Sequence, residues 1–206
     1  HPIEVTPKLR VIPPWVKSEP IAGVFDLTIE AKMAFGTGHH ETTRLAAQLI
    51  ENHLPGVVQK KRRPLLLDIG TGTGILAMYA EHLGAETIGT EIDPVTIECL
   101  AENWRNNGLG EARAILGPLS ALRRKPQFDL IIANMIRSEV WPLRSEILEL
   151  LACGGIFIIS GQLVAEKEIV LKWFERVSLR LIEERSEGEW WAAAAAPSAR
   201  SSAWRE

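Results

Sequence analysis

A glycine-rich segment that directly follows a short apolar run constrains the fold of this chain more than any other feature. Residues 68–74 read Asp-Ile-Gly-Thr-Gly-Thr-Gly, and residues 65–67 before them are three consecutive leucines. Residues 75–83 are largely apolar and long enough for a helix. Because glycine allows tight turns and close backbone contact with a ligand, the pattern predicts a buried strand that turns sharply into a helix. Open α/β sheets bind their ligands at such turns.

Strand and helix patterns then alternate along the chain. Apolar runs predict strands, helical spacing predicts helices, and Asp93 and Pro94 supply an N-cap and a first-turn proline. The predicted strands are 65–69, 86–90, 112–116, 128–133 and 156–160, and the predicted helices are 75–83, 94–107, 141–151 and 164–176, with residues 153–155 ending the third helix. Such alternation predicts an α/β fold with a doubly wound, mostly parallel, Rossmann-like sheet.

The two ends of the chain depart from this alternation. Residues 179–184 and 189–195 flank the turn signal at 186–188 and predict a C-terminal antiparallel hairpin, although propensity alone allows residues 192–196 to be helical. Five prolines in residues 1–20 predict a linker or arm with at most one short edge strand, at 9–12. We therefore expect an arm at 1–20, the main domain at 21–196 and a flexible tail at 197–206.

Composition excludes several classes of protein. The 206 residues are 46% hydrophobic and carry a formal net charge of −3, which fits a globular domain and disfavours a polyanion-binding specialist. Cys99 and Cys153 lack C-x-x-C spacing, so we expect neither a disulfide framework nor a zinc site, and we predict a reducing, cytoplasmic location. Apolar runs of membrane-spanning length are absent from the sequence.

The glycine segment and Glu91 together predict a nucleoside-bearing cofactor. Glu91 lies 21 residues after Gly70, at the end of the next predicted strand, where a carboxylate can accept hydrogen bonds from ribose hydroxyls. Gly70, Gly72 and Gly74, with Asp68 just upstream, have the spacing of enzymes that use S-adenosylmethionine (SAM). Residues 72–77 also match the looser G-x-G-x-x-A dinucleotide pattern, and a purely structural turn is a third interpretation.

Two other segments are predicted to reach the same edge of the sheet. Residues 34–43 (AFGTGHHETT) combine glycines that suit a mobile lid with Thr42 or Thr43 as the cap of an apolar helix at 45–50. His39 and His40 lack the spacing and third ligand of a metal site, so we expect no metal. Asn134 ends the predicted strand 128–133, where a ligand-binding role and a simple turn role are both open.

These segments resemble one family, the ribosomal protein L11 methyltransferases (PrmA), which are seven-stranded SAM-dependent methyltransferases. The resemblance extends from about residue 7 to residue 195 and is carried by residues 34–43 and 67–77, by Asp93-Pro94, Ala133-Asn134 and Ser160-Gly161, and by Glu189-Trp190. It implies methylation of lysine or N-terminal amines of a ribosomal protein. The implied SAM site includes Phe35, Thr43, Gly70, Glu91 and Asn134, and with their neighbours the predicted cofactor-binding set adds Gly36, Thr37, Asp68, Gly72, Gly74 and Ile92.

The chain also departs from the family pattern. His39 and Glu41 stand where the family usually has Thr and Pro, Glu91 replaces an Asp, and residues 135–137 (Met-Ile-Arg) replace Ile-Leu-Ala, so Arg137 could alter the rim where the substrate binds. The family has a small amino-terminal domain that captures the ribosomal protein, whereas residues 1–20 resemble the linker that follows it. We therefore expect either a trimmed protein or a short relative with another substrate.

The resemblance implies a methyl transfer that depends mainly on positioning. We expect the Asn134 carbonyl and neighbouring backbone oxygens to hold the acceptor amine, with His40 as the candidate general base. Contact with ribosomal RNA is possible through the basic runs at 60–63 and 123–125, which more simply are solvated turns. The alternatives are a methyltransferase of another protein, RNA or small molecule, a dinucleotide oxidoreductase, and a SAM-binding scaffold without catalysis.

Overall fold

The first 28 residues form a small three-stranded sheet rather than a single edge strand. The computed structural model describes residues 1–30, 38, 40–122 and 127–198. In it β1 (Ile3–Thr6) pairs antiparallel with β2 (Leu9–Ile12), and β2 pairs parallel with β3 (Phe25–Thr28). A strand is present at 9–12, but the prediction of at most one short edge strand was wrong, because this strand is the central one of three and pairs on both sides. The division of the chain into an arm, a main domain and a tail stays a prediction.

The main sheet has seven strands, five of them parallel. In chain order they are β4 (Leu65–Ile69), β5 (Glu86–Glu91), β6 (Ala114–Leu116), β7 (Phe128–Asn134), β8 (Leu151–Leu163), β9 (Leu179–Glu187) and β10 (Trp190–Pro197). Their spatial order is β6-β5-β4-β7-β8-β10-β9, and β10 runs antiparallel to both of its neighbours. The predicted Rossmann-like sheet and its antiparallel C-terminal hairpin are confirmed.

Helices cover both faces of this sheet. They are α1 (Glu41–Lys60), α2 (Ile75–His82), α3 (Pro94–Asn106), α4 (Arg137–Val140), α5 (Arg144–Leu150) and α6 (Lys167–Arg176). Alternate residues of each strand point to opposite faces, so Leu66 packs in the cluster that contains α1, α2 and the small sheet, whereas Leu67 packs in the cluster that contains α5 and α6. Among the described helices, none is long and apolar enough to cross a membrane.

Two local predictions were wrong in detail, and the one alternative left open in the hairpin is decided in favour of the predicted strand. The helix predicted at 141–151 is divided, because a 3-10 turn at Trp141–Leu143 separates α4 from α5. Strand β8 begins at Leu151 and runs through the predicted stop at 153–155, with a register irregularity opposite Phe128 and Leu130. The alanine run at 192–196 is a strand, because β10 lies between β8 and β9 and residues 192–195 are 0% exposed, so backbone pairing and burial override the helical propensity of alanine.

Adjacent tryptophans in β10 face opposite ways, as alternation in a strand requires. Trp191 is 2% exposed and donates from Nε1 to Glu184 Oε2 at 3.0 Å, so it belongs to the core. Trp190 is partly exposed and points toward the start of α1, where its ring meets that of His40 edge-on at a centroid distance of 5.0 Å. The hairpin therefore contributes one tryptophan to the core and one to the edge of the sheet.

Candidate functional site

A cavity of about 710 Å³ opens at the carboxyl ends of the parallel strands β4, β5 and β7. This size suits a cofactor or small-molecule site, and the position is where open α/β sheets place their ligands. Its lining comes from the ends of five strands, β4, β5, β7, β8 and β10, from the starts of three helices and from the connecting segments. The lining residues are His40, Thr42, Ile69, Gly70, Gly72, Thr90, Glu91, Ile92, Asp93, Thr96, Gly117, Pro118, Leu119, Asn134, Met135, Ile136, Glu139, Leu143, Gly161 and Trp190.

The glycine turn after β4 forms the floor of this cavity. Gly70, Gly72 and Gly74 all have positive φ, at 64°, 56° and 84°, a conformation that only glycine adopts freely. Gly70 and Gly72 line the cavity, whereas Gly74 faces the protein. A Cβ on Gly74 would lie 2.3 Å from Leu100 Cδ1, so this glycine lets α2 pack against α3. Two of the three glycines in this turn therefore line the cavity, and the third permits close packing of α2 against α3.

Asp68 lies beneath the turn and holds it closed. Its carboxylate is 2% exposed and accepts a hydrogen bond of 2.8 Å from Thr71 Oγ1. Burial raises the pKa of Asp68 to about 7, helped by the negative charge of Glu91, although the hydrogen bonds from Thr71 and the Ala77 backbone oppose this shift. Asp68 is not among the residues that line the cavity, so its geometry is that of a support for the turn.

Glu91 connects the end of β5 to the glycine turn. Its Oε2 accepts from the Gly72 amide at 3.2 Å, and its Oε1 accepts from the amides of Ile92 at 2.8 Å and Asp93 at 3.2 Å. A carboxylate offers about four acceptor positions, so capacity remains on Oε2 for a ligand hydroxyl. Ile92 follows with its side chain 76% exposed and supplies an apolar surface next to this carboxylate.

His40 caps α1, a role that the sequence assigned to Thr42 or Thr43. Its Nδ1 accepts from the Thr42 amide at 3.3 Å and lies 2.9 Å from Thr42 Oγ1. The correction has a simple cause: both threonines are buried within the first turn of the helix, whereas His40 has the extended backbone of an N-cap. A backbone amide can only donate, so Nδ1 is the acceptor and the proton of the neutral ring lies on Nε2.

Asn134 ends β7 with an acceptor that has no partner among the described residues. Its Oδ1 is buried and unpaired, whereas its Nδ2 lies 3.5 Å from Thr43 Oγ1, a long hydrogen bond. Thr43 itself is fully buried and does not line the cavity. The amide oxygen of Asn134 is therefore an unsatisfied buried polar group on a residue that lines the cavity, and such groups need an explanation.

The charges around the cavity are of one sign. Glu91, Asp93 and Glu139 line it, and no lysine or arginine does so in the part of the chain that the structure describes. Asp93 is already engaged as the cap of α3, by the Val95 amide at 2.9 Å and Thr96 Oγ1 at 3.2 Å. Glu139 is exposed, and no described residue bonds its carboxylate. Such a cavity attracts a cationic ligand.

Sequence reasoning found part of this lining and missed the rest. Six of the predicted site residues line the cavity: His40, Gly70, Gly72, Glu91, Ile92 and Asn134. Three others do not line it: Thr43, Asp68 and Gly74. Phe35, Gly36 and Thr37 lie outside the described residues. Glu139, Leu119 and Trp190 were missed as cavity residues, since they come from a helix, a loop and a hairpin whose approach depends on the fold. Within the described chain no group of three potential metal ligands occurs.

Arg137, expected at the substrate rim, is held by an ion pair instead of facing the cavity. Its Nε lies 2.7 Å from Glu166 Oε1, and its guanidinium lies 5.9 Å from the ring centre of Trp141. Glu166 in turn accepts from the Leu163 amide at 3.1 Å. The pair links the start of α4 to the 3-10 turn that follows β8.

Comparisons with known sequences point to one family. The profile described as Ribosomal protein L11 methyltransferase (PrmA) matches residues 1–197. Two relatives named ribosomal protein L11 methyltransferase, from Pelobacter propionicus and Thermus thermophilus, are each 37% identical, over 191 and 187 residues. These alignments cover 92% and 90% of this chain. The chain spans 61% of the length of the Pelobacter protein and 70% of the Thermus protein.

Solved structures show the same relationship at the level of the fold. A ribosomal protein L11 methylase from Lactobacillus delbrueckii subsp. bulgaricus superposes with a TM-score of 0.85 at 26% identity, covering 96% of this chain and 98% of that one. A putative RNA methyltransferase from Pyrococcus horikoshii superposes with a TM-score of 0.63 at 16% identity, covering 81% and 87%. The second match shows only that the fold is shared.

Proposed function

The chain belongs to the ribosomal protein L11 methyltransferase (PrmA) family, and from that premise we propose that it transfers a methyl group from SAM to an amine of a ribosomal protein of the L11 type. The observation that carries this proposal is the unpaired Oδ1 of Asn134, an acceptor in the same cavity as Glu91 and the glycine turn. One end of the cavity is thus built for a nucleoside and another for a hydrogen-bond donor.

The residues of the cavity fit SAM. Gly70 and Gly72 leave the floor open to a ligand, and Glu91 retains acceptor capacity for ribose hydroxyls. Ile92 and Leu119 supply apolar walls of the kind that enclose a purine ring. When bound, SAM supplies a methyl group on a positively charged sulfur that an amine can attack directly. The negative lining suits that positive charge as well as a cationic acceptor.

Asn134 is the proposed catalytic group for the acceptor amine. An amide oxygen accepts a hydrogen bond from an amine N–H, which aims the nitrogen lone pair without removing a proton. A lysine amine that enters a partly desolvated cavity is more easily deprotonated, because burial disfavours its charged form and lowers its pKa. The proton of the ammonium group passes to solvent water before transfer, so positioning of the neutral amine requires no strong base from this chain.

His40 has a positioning role in this proposal. Its Nδ1 accepts from the Thr42 amide, so this nitrogen is engaged in the cap of α1. Its ring also packs edge-on against Trp190. Together these two rings form a fixed wall of the cavity, and Nε2–H is a donor rather than a base.

An acceptor on a ribosomal protein would place the reaction in the cytoplasm, and contact with ribosomal RNA stays a prediction.

The test combines ligand binding with methyl transfer. Calorimetry with S-adenosylhomocysteine, SAM and NAD should show binding of the first two and weaker binding of NAD. Mass spectrometry of the ribosomal protein L11 of Pelobacter propionicus, incubated with the chain and methyl-labelled SAM, should show added methyl groups that the Asn134→Ala variant does not add. Tighter binding of NAD would contradict the assignment of the cofactor.

The identity of the methyl acceptor needs a second measurement, because capture of a protein substrate raises the effective concentration of the target amine. The chain should therefore act on L11 faster when it is fused to the part of the Pelobacter relative that it does not cover. Strong labelling of RNA or of another protein by the bare chain would refute L11 as the acceptor. Binding of SAM without labelling in either form would indicate a scaffold without catalysis.

A further inference from the structure

Gln162, near the end of β8, is a polar side chain that the proposed reaction leaves unexplained. It is 0% exposed and lies between apolar neighbours, opposite Trp191 in the ladder with β10. Burial of an amide is unfavourable unless its donors and acceptors are paired. Its Oε1 has no partner in the described part of the chain. A polar residue kept at such a position calls for a specific role.

The donor end of Gln162 holds the residue that follows Asn134. Its Nε2 donates to the Met135 carbonyl at 2.7 Å and to the Ser160 carbonyl at 3.3 Å. The Met135 amide also donates to the Ser160 carbonyl at 3.1 Å. Both backbone polar groups of Met135 are therefore bonded to the segment 160–162, and this segment fixes the path of the chain just after β7.

Gly161 makes this close contact possible. It has a φ of 80° and lines the cavity, and a Cβ at this position would lie 2.7 Å from the Met135 oxygen and 2.8 Å from the Met135 carbonyl carbon. Any side chain would therefore push the two segments apart. Ser160 adds a further link, because its Oγ donates to the Thr42 carbonyl at 2.8 Å in the first turn of α1.

Asn134 depends on this support because its own side chain is weakly held. Its one described side-chain hydrogen bond, to Thr43 Oγ1, is 3.5 Å long, and its Oδ1 is unpaired. A hydrogen bond of this length contributes little to orientation. The backbone on either side of Asn134 must therefore set the direction of the amide, on one side through pairing with Ser160 in the sheet and on the other through Met135.

We propose that Gln162 is a positioning residue that acts through the Met135 carbonyl to aim the amide of Asn134 into the cavity. This inference rests on the proposed function, since it assigns to Asn134 the acceptor amine. Its second effect is to occupy the Met135 carbonyl. Asn134 Oδ1 is then the acceptor left for the amine, because the Met135 carbonyl is already bonded to Gln162. A bound amine therefore has one hydrogen-bond acceptor to face instead of two. Removal of the Gln162 donor restores the competing carbonyl.

The first variant is Gln162→Met, which keeps the length and volume of the side chain but removes the donor. We expect kcat for the L11 acceptor to fall at least tenfold, while KM and the affinity for S-adenosylhomocysteine change less than twofold. Thr87→Val is the matched control, because it removes the part-buried hydrogen bond from Thr87 Oγ1, on a fully buried residue, to Glu81, away from the cavity. That variant should keep the kcat of the original chain.

The second variant, Gln162→Glu, tests the pH dependence of kcat, which would not change if Gln162 had only a packing role. Burial raises the pKa of the introduced carboxyl. Its protonated form can donate to the Met135 carbonyl, whereas its ionised form can only accept. The ratio of its kcat to that of the original chain should therefore be highest at pH 6 and fall as pH rises to 9. A ratio that is constant across this range would overturn the proposal.

A third readout does not depend on turnover. The side-chain amide signals of Asn134 in a nitrogen-edited NMR spectrum, assigned by their loss in Asn134→Asp, should shift or broaden in Gln162→Met and stay in place in Thr87→Val. Unchanged signals, or a loss of kcat that is matched by an equal loss of thermal stability and cofactor affinity, would refute a positioning role. If the original chain methylates nothing, the proposed function fails, and the NMR comparison still decides the role of Gln162.

Discussion

The carboxylate of Glu91, at the end of β5, accepts a hydrogen bond of 3.2 Å from the amide of Gly72, in the turn after β4. This bond joins two adjacent strand ends and fixes the distance between the glycine turn and the acidic group. The same carboxylate bonds the amides of Ile92 and Asp93. Pre-organisation of this kind lowers the cost of ordering when a ligand binds.

Replacement of Glu91 by alanine should weaken binding of S-adenosylhomocysteine. Each hydrogen bond to a charged group that is lost costs about 1.5–3 kcal/mol, which corresponds to at least about a tenfold rise in Kd. Calorimetry measures the change directly. Glu98→Ala, at an exposed position of α3, is the matched control and should leave Kd unchanged. Equal affinities of the Glu91 variant and the original chain would show that this carboxylate does not contact the cofactor.

Replacement of Gly161 by alanine should abolish methyl transfer. The new Cβ would lie 2.7 Å from the Met135 carbonyl oxygen, and alanine would have to adopt a φ of 80°. The energetic cost of this backbone strain adds to the cost of displacing the Met135 backbone. We expect a loss of about 2–6 kcal/mol in the free energy of unfolding, since a positive φ and overpacking each cost about 1–3 kcal/mol. Urea unfolding and initial rates give the two quantities.

Gly154→Ala separates strain from displacement. Gly154 lies in the same strand with a φ of 77°, but nothing lies within 4 Å of a Cβ built there. It should lose about 1 kcal/mol of stability and keep full activity. Similar losses in the two variants would mean that the contact with Met135 is unimportant.

The buried carboxyl of Asp68 should make stability depend on pH. Burial raises its pKa to about 7 in the folded protein, above the ordinary value of 3.8, so the folded state binds the proton more tightly than the unfolded state does. Stability from this group is therefore present in acid and is lost as pH rises from about 4 to about 7. Between pH 5 and pH 8 the loss is about 3 kcal/mol, at about 1.4 kcal/mol per pKa unit.

Asp68→Asn isolates this effect, because asparagine keeps an acceptor for Thr71 but has no proton to lose. The free energy of unfolding of the variant, measured in urea, should exceed that of the original chain by more at pH 8 than at pH 5. A difference between the two proteins that does not change with pH would show that Asp68 is not the titrating group.

Replacement of Glu139 by glutamine should weaken the interaction with a cationic acceptor. Glu139 lines the cavity with no bonded partner among the described residues, so its charge is available to a ligand. An exposed charge pair contributes up to about 1 kcal/mol, so KM for the L11 acceptor should rise about two- to fivefold with kcat unchanged. Glu111→Gln, another exposed glutamate, is the control. A KM that is unaffected by Glu139→Gln but sensitive to salt would place the attraction elsewhere.

The order of strands and helices in the main sheet could be read from the sequence because its signals are local. Apolar runs, the glycine turn at 68–74, and the cap formed by Asp93 and Pro94 each act within a few residues. The same locality placed Gly70, Glu91 and Asn134 at strand ends. Since parallel strands bring their carboxyl ends to one edge, the sequence was enough to predict that these residues share a site.

The sequence by itself determined the α/β architecture and the strand ends that form the site, whereas the tertiary structure decided what each of these residues contacts. The alanine run became a strand because β8 and β9 pair with it, and His40 became the cap of α1 because both threonines are buried. Glu139 and Gln162 acquire their positions from segments far away in the chain. Local propensity amounts to tenths of a kcal/mol per residue, whereas burial and backbone pairing across the sheet contribute about 1 kcal/mol or more, so long-range packing decides these details.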